Sequence, residues 1–115
     1  MECIGPTISK EEIKKLNKIL TFSPEIEELS VFFGLWKNPA RLKIFYLLSI
    51  EKKLCVCDIS EVLGITISAV SQHLSKMKAY NIVKYKRENQ TIYYYLTDHP
   101  LNLKIKEHFI DSLNI

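Results

Sequence analysis

A mainly α-helical chain with a single β-hairpin is what three features of this sequence predict. Apolar residues recur at helical spacing from Ile13 to Met77 and again after Pro100. The period drops to two only in IVKYKR and TIYYYLT, two β-branched and aromatic runs separated by Glu88-Asn89-Gln90. Glycine and proline number three and four in 115 residues, so they act as punctuation at the ends of elements.

Each element carries its own signal. Residues 1–8 form an N-terminal arm, expected to be flexible. A first helix runs from Ser9 to about Leu20, because Ser9 can cap it, Glu12 stands three residues on, and Ile13, Leu16, Ile19 and Leu20 share a face. Ser23-Pro24 starts a second helix, with Glu25, Glu27 and Glu28 near its positive end and an apolar stripe of Ile26, Leu29, Phe33 and Trp36. Asn38-Pro39 repeats the start signal for a third helix to Ser49, with Leu42, Phe45, Tyr46 and Leu48 apolar and Arg41 and Lys43 outward. A short helix from Cys55 to Leu63 stops at Gly64. Thr66 or Ser68 caps the next, which reaches about Tyr80. The hairpin follows, Asp98-His99-Pro100 breaks it, and a last helix from Leu101 to Leu113 presents Leu103, Ile105, Phe109, Ile110 and Leu113.

Five helices, a hairpin and one more helix make a winged helix-turn-helix over residues 9–115, with additional N- and C-terminal helices suited to dimerisation. Hydrophobic residues make up 47% of the chain, enough for a core in one domain of ordinary size. No uncharged apolar run approaches the roughly 20 residues of a membrane span, and MECIGPTISKEEIKK lacks the basic start and apolar middle of a secretion signal. A cytoplasmic protein is therefore expected. Its three cysteines, Cys3, Cys55 and Cys57, are then metal ligands, redox groups or small core residues, not a disulfide framework.

DISEVLGITISAVSQHLSKMKAYNIV holds two short helices meeting at a tight turn. On the second, Ile67, Val70, Leu74 and Met77 are spaced to form one buried stripe. Ser68, Ser71, Gln72, Ser75 and Lys76 fall mostly opposite, with His73 beside them. Small hydroxyls, an amide and a cation suit hydrogen bonding to base edges and phosphates in the major groove of double-stranded DNA. Charge placement agrees. The whole chain carries +3, yet residues 66–90 hold five basic residues and one acid, a net +4. That clustering is the electrostatic footprint of phosphate contacts. The candidate DNA contacts are Thr66, Ser68, Ser71, Gln72, His73 and Lys76 on the helix and Lys84, Lys86, Arg87 and Gln90 on the wing. The wing tyrosines, Tyr85 and Tyr93 to Tyr95, are expected to pack.

KNPARLKIFYLLS followed by KLCVCDISEVLGITISAVSQHLSKMKAYNIVKYKRENQTIYYYLTD closely resembles the ArsR/SmtB family of metal-responsive bacterial repressors, over roughly residues 25–112. The resemblance implies a homodimer that binds operator DNA without metal and releases it when metal binds. It also implies a thiolate site at Cys55 and Cys57. The helix start and the nearby Lys52 and Lys53 would favour the ligating thiolate form, and thiolates select thiophilic ions. Arsenic-sensing relatives often carry another cysteine at or near the place of Ser60. The cadmium- and lead-sensing branch draws cysteines from an N-terminal arm, commonly a pair, where this chain has Cys3. The site implied is Cys3 of one subunit with Cys55 and Cys57 of the other. Three sulfurs suit Cd(II), Pb(II), Hg(II), As(III) or Bi(III) better than zinc, which prefers four ligands.

A second site known in some relatives, on the last helix, is broken here. Asp98 is in place, but Pro100 stands where a His is needed, Asp111 replaces the later His and Asn114 the acid. His99, His108 and Asp111 remain as an irregular alternative. The competing function is a thiol redox or reactive-sulfur switch using the same cysteines. An enzyme is not expected, since the chain has no nucleotide-binding glycine loop and no paired acids or nucleophile-base arrangement.

Overall fold

The computed structural model describes residues 4–113, with side chains as far as Phe109; Cys3 and the side chain of Asp111 lie outside the described residues. Two compact units make up the chain, Met1–Gly34 and Leu35–Ile115. In the first, Ser9 caps α1 (Lys10–Thr21), its hydroxyl oxygen accepting from the Glu12 N–H at 3.1 Å. No residue of α1 is buried. Helix α2 (Pro24–Leu35) begins at the expected proline. Its predicted stripe is corrected. Ile26, Leu29 and Phe33 are exposed, while Phe32 and Leu35 are buried and Trp36 falls beyond the helix end. Val31, Phe32, Phe33 and Leu35 make the end of α2 apolar on several faces, so spacing alone could not choose among them.

The second unit is the winged helix-turn-helix. Asn38 caps α3 (Pro39–Ile50) by accepting from the Ala40 N–H at 2.9 Å. Next come β1 (Leu54–Cys55), α4 (Val56–Leu63), α5 (Ile67–Ala79), β2 (Val83–Glu88), β3 (Thr91–Leu96) and α6 (Pro100–Leu113). The expected hairpin is therefore a three-stranded antiparallel sheet in the order β1-β3-β2. Cys55 belongs to its short third strand and caps α4 from there, so the helix begins one residue later than the spacing suggested.

Ile44, Phe45 and Leu48 of α3 meet Ile59 of α4 and Val70, Leu74 and Met77 of α5 in the core, all at most 3% exposed. Burying such a side chain contributes about 1.5–3 kcal/mol. Phe109 of α6 stacks edge-on against Tyr46 at 5.2 Å and lies 6.1 Å from Phe45, which joins α6 to α3.

The junction of α5, wing and α6 is closed by hydrogen bonds. Asn81 takes a left-handed conformation, φ 62°, just past α5. The Asn81 N–H donates to the Lys78 carbonyl and the Ile82 N–H to that of Met77, each at 2.9 Å. This paired closure ends the helix and drops Ile82 into the core. The Thr97 hydroxyl donates to the Asn81 carbonyl at 2.6 Å. Asn102 of α6, 1% exposed, points its amide nitrogen at the Ile82 carbonyl (2.9 Å), the Thr97 hydroxyl (3.0 Å) and the Thr97 carbonyl (3.3 Å).

Candidate nucleic-acid interface and thiol pair

Gly64 makes the turn between α4 and α5 possible, because its φ of 70° is a conformation that favours glycine. Its N–H donates to the Ser60 carbonyl at 2.9 Å, and the Ser60 hydroxyl donates to the Ile65 carbonyl at 2.6 Å. Ser60 thus braces the turn. Thr66 caps α5, its hydroxyl oxygen accepting from the Ala69 N–H at 3.1 Å, which leaves the hydroxyl proton for an outside acceptor.

Helix α5 shows two faces. Val70, Leu74 and Met77 are fully buried, and Ser68, Ser71, Gln72, Ser75 and Lys76 are exposed. The expected stripe loses one member, because Ile67 is 53% exposed. It is the first residue of α5, one turn short of where the core begins at Val70. Its spacing from Val70 disguised it as a core residue. An exposed aliphatic group between Thr66 and Ser68 is the kind that contacts a thymine methyl, and helix-turn-helix proteins touch base edges with the first residues of this helix.

His73 sits at the margin of the exposed face and is half-buried. Its Nδ1 accepts from Arg41 Nε at 3.3 Å. Burial, and then the Arg41 charge, hold the imidazole below its usual range, so the neutral form is favoured. Arg41 was expected to point outward. It is half-buried, and its guanidinium also donates to the Leu35 carbonyl at 3.3 Å.

On the wing, Lys84, Lys86, Arg87 and Gln90 are all exposed. Register sets Lys84, Lys86 and Glu88 on one face with Tyr95, Tyr93 and Thr91. Of the wing tyrosines expected to pack, Tyr93, Tyr94 and Tyr95 are half-buried, while Tyr85 is 48% exposed. Tyr85 and Tyr94 lie 5.9 Å apart, and Lys78 Nζ sits 4.2 Å over the Tyr85 ring. Glu88, the one acid among residues 66–90, is ion-paired to Lys53. Lys53 was counted toward the thiols by its place in the sequence. Its partners are instead Glu88 and the ring of Tyr93, 4.5 Å away. Only the antiparallel pairing of β1 with β3 brings these residues together, and no local pattern announces it.

Cys55 is half-buried and Cys57 exposed, and both thiols are free. They flank the change from strand to helix, at the cap and the second residue of α4. Asp58 closes the cap from the other side. Its carboxylate accepts from the Cys55 N–H at 3.0 Å, and that bond, with one from the Cys55 thiol, lowers its pKa. Among the described residues no three His, Cys, Asp or Glu side chains converge on a metal position. The donor set there is two thiols, which suits a soft ion but needs a donor from elsewhere. Among the described residues, His99 and His108 of the irregular alternative are not brought together. His99 accepts from the Leu101 N–H at 3.2 Å and so caps α6. His108, nine residues on, stands about 13 Å farther along at 1.5 Å per residue.

A turn-linked helix pair with a polar outer face and a basic wing defines a DNA-binding winged-helix regulator. Comparison with known proteins narrows the class. Residues 38–85 match the model of the bacterial regulatory protein, arsR family. The chain is 30% identical over 113 residues to a cadmium resistance transcriptional regulatory protein CadC homolog of Staphylococcus aureus, covering 98% of this chain and 93% of the relative. It is 28% identical to a transcriptional repressor SmtB homolog of Synechocystis sp., covering 96% and 85% respectively. Reduced HlyU from Vibrio cholerae N16961 superposes with a TM-score of 0.70 at 25% identity, over 80% of this chain and 95% of that one. The chain belongs to the arsR family of bacterial transcriptional regulators, and the relatives named are regulators, not enzymes.

Proposed function

We propose that the protein is a homodimeric repressor that binds operator DNA through α5 and the wing and releases it when a thiophilic metal ion engages Cys55 and Cys57, with Cys3 of the partner subunit as third ligand. The observation that carries this reading is the position of the two free thiols. Cys55 is the N-cap residue of α4 and Cys57 its second residue, and α4 packs directly on α5. A change at the thiols therefore acts one helix away from the DNA-reading face. The name of the CadC homolog supports cadmium-type effectors. Dimerisation is supported by Ile13, Leu16 and Ile19 of α1 and Leu103 of α6, all left exposed in a single chain. A two-fold dimer matches a palindromic operator.

The test titrates Cd(II) or Pb(II) into reduced protein, following ultraviolet charge-transfer bands and operator anisotropy together. Cys55→Ser and Cys57→Ser should bind operator normally and fail to release it. Cys3→Ser should keep the weaker two-thiol band and lose part or all of the release. Normal release in Cys57→Ser rejects the site, and normal release in Cys3→Ser removes the arm from it.

A redox switch is the second reading, favoured by the exposure of Cys57 and by the likeness to a regulator described in a reduced form. Peroxide would then take two hydrogens from two thiols to give a disulfide and water. Reversible mass loss with peroxide, together with no metal retained after desalting, would favour it.

A further inference from the structure

We propose that Lys53 is a further determinant of DNA binding: it screens Glu88 from the DNA phosphates. The inference rests on the proposed seating of the wing on DNA and not on the thiol site. Glu88 ends β2 at the tip of the wing, beside the exposed Lys86 and Arg87. A bare carboxylate there would repel the phosphates those cations attract. Lys53 Nζ lies 2.5 Å from Glu88 Oε2, and this bond, with Lys86 nearby, holds the carboxyl below its usual range.

Tyr93 is the shared neighbour. The Lys53 ammonium sits over its ring, and Cys55 is its partner across the β1–β3 ladder. Residues directly opposite in a ladder project on the same face. The Lys53 ammonium thus stands between the Glu88 carboxylate and the Tyr93 ring. Both ends of the ion pair are substantially exposed, 46% for Lys53 and 40% for Glu88. Such pairs are weak and exchangeable.

The experiment is a double-mutant cycle on operator affinity in metal-free reduced protein: wild type, Lys53→Gln, Glu88→Gln and the double variant, at low and moderate salt. Circular dichroism checks that each is folded. Lys53→Gln should weaken binding about two- to fivefold at low salt, the scale of an exposed ion pair. The double variant should recover the affinity of Glu88→Gln. An equal loss from Lys53→Gln in both backgrounds would mean that Lys53 touches phosphate directly, and would overturn the proposal. Equal operator affinity in wild type and Lys53→Gln would overturn it as well, whatever the thiols bind.

Discussion

Arg41 and His73 are joined at 3.3 Å, guanidinium to imidazole, across the contact between α3 and α5. The bond requires a neutral ring with Nδ1 as acceptor. It seats the middle of α5 on α3, while the same guanidinium holds the Leu35 carbonyl.

A pH dependence of stability follows. The folded pKa of His73 lies below its usual 6.5, so below that value the unfolded chain takes up a proton that the folded one resists. The contribution is fully present above 6.5 and is lost as pH falls through the lowered folded value. Urea midpoints should therefore fall between pH 7 and pH 5 more steeply in wild type than in His73→Gln. Parallel profiles would show that the imidazole does not resist protonation.

If α5 and the wing contact DNA as proposed, specificity and affinity should separate between them. Ser68→Ala or Gln72→Ala should lose about 1–3 kcal/mol on the specific operator and much less on random DNA. Lys86→Ala or Arg87→Ala should weaken both and flatten the salt dependence by about one counterion each. Anisotropy against both DNAs at several salt concentrations checks this. Equal loss on both DNAs from Gln72→Ala would remove Gln72 from the reading face.

Asn102 should matter to stability beyond its size. Asn102→Ala strips the amide donor from the Ile82 and Thr97 carbonyls in a buried place. Unsatisfied buried groups cost about 1–3 kcal/mol, which urea denaturation would show as a lower midpoint with an unchanged slope. A loss below about 0.5 kcal/mol, the level of an ordinary surface substitution, would mean that water replaces the amide there.

The helices were legible because capping and spacing are local. Ser9, Asn38 and Thr66 cap as their positions suggest, and Gly64 turns the chain where it should. What spacing cannot supply is the partner. It put Ile67 in the stripe with Val70, although the core begins one turn later. It sent Arg41 outward, although a half-buried histidine waits on α5. Strand β1 has two residues, too few for any period to register. Asn102 offers no pattern, since a buried amide is recognisable only by the carbonyls around it. For the candidate site, residue type singled out the polar face of α5, which is exposed, and the two free thiols. The sequence distance from Lys53 to Glu88 hid the contact between them.

Strand β2 lies at one border of the sheet, with β3 on its inner side. Its outer row of backbone donors and acceptors is open to pairing with any other extended chain, and such borders seed aggregation. Six residues of strand rich in β-branched and aromatic neighbours would be a good template. Lys84, Lys86 and Arg87 on that strand make a second copy's approach repulsive. The same cations would have their repulsion relieved by a polyanion laid alongside. The wing's charge thus keeps crowded copies of the protein apart in solution while letting one kind of extended partner come close.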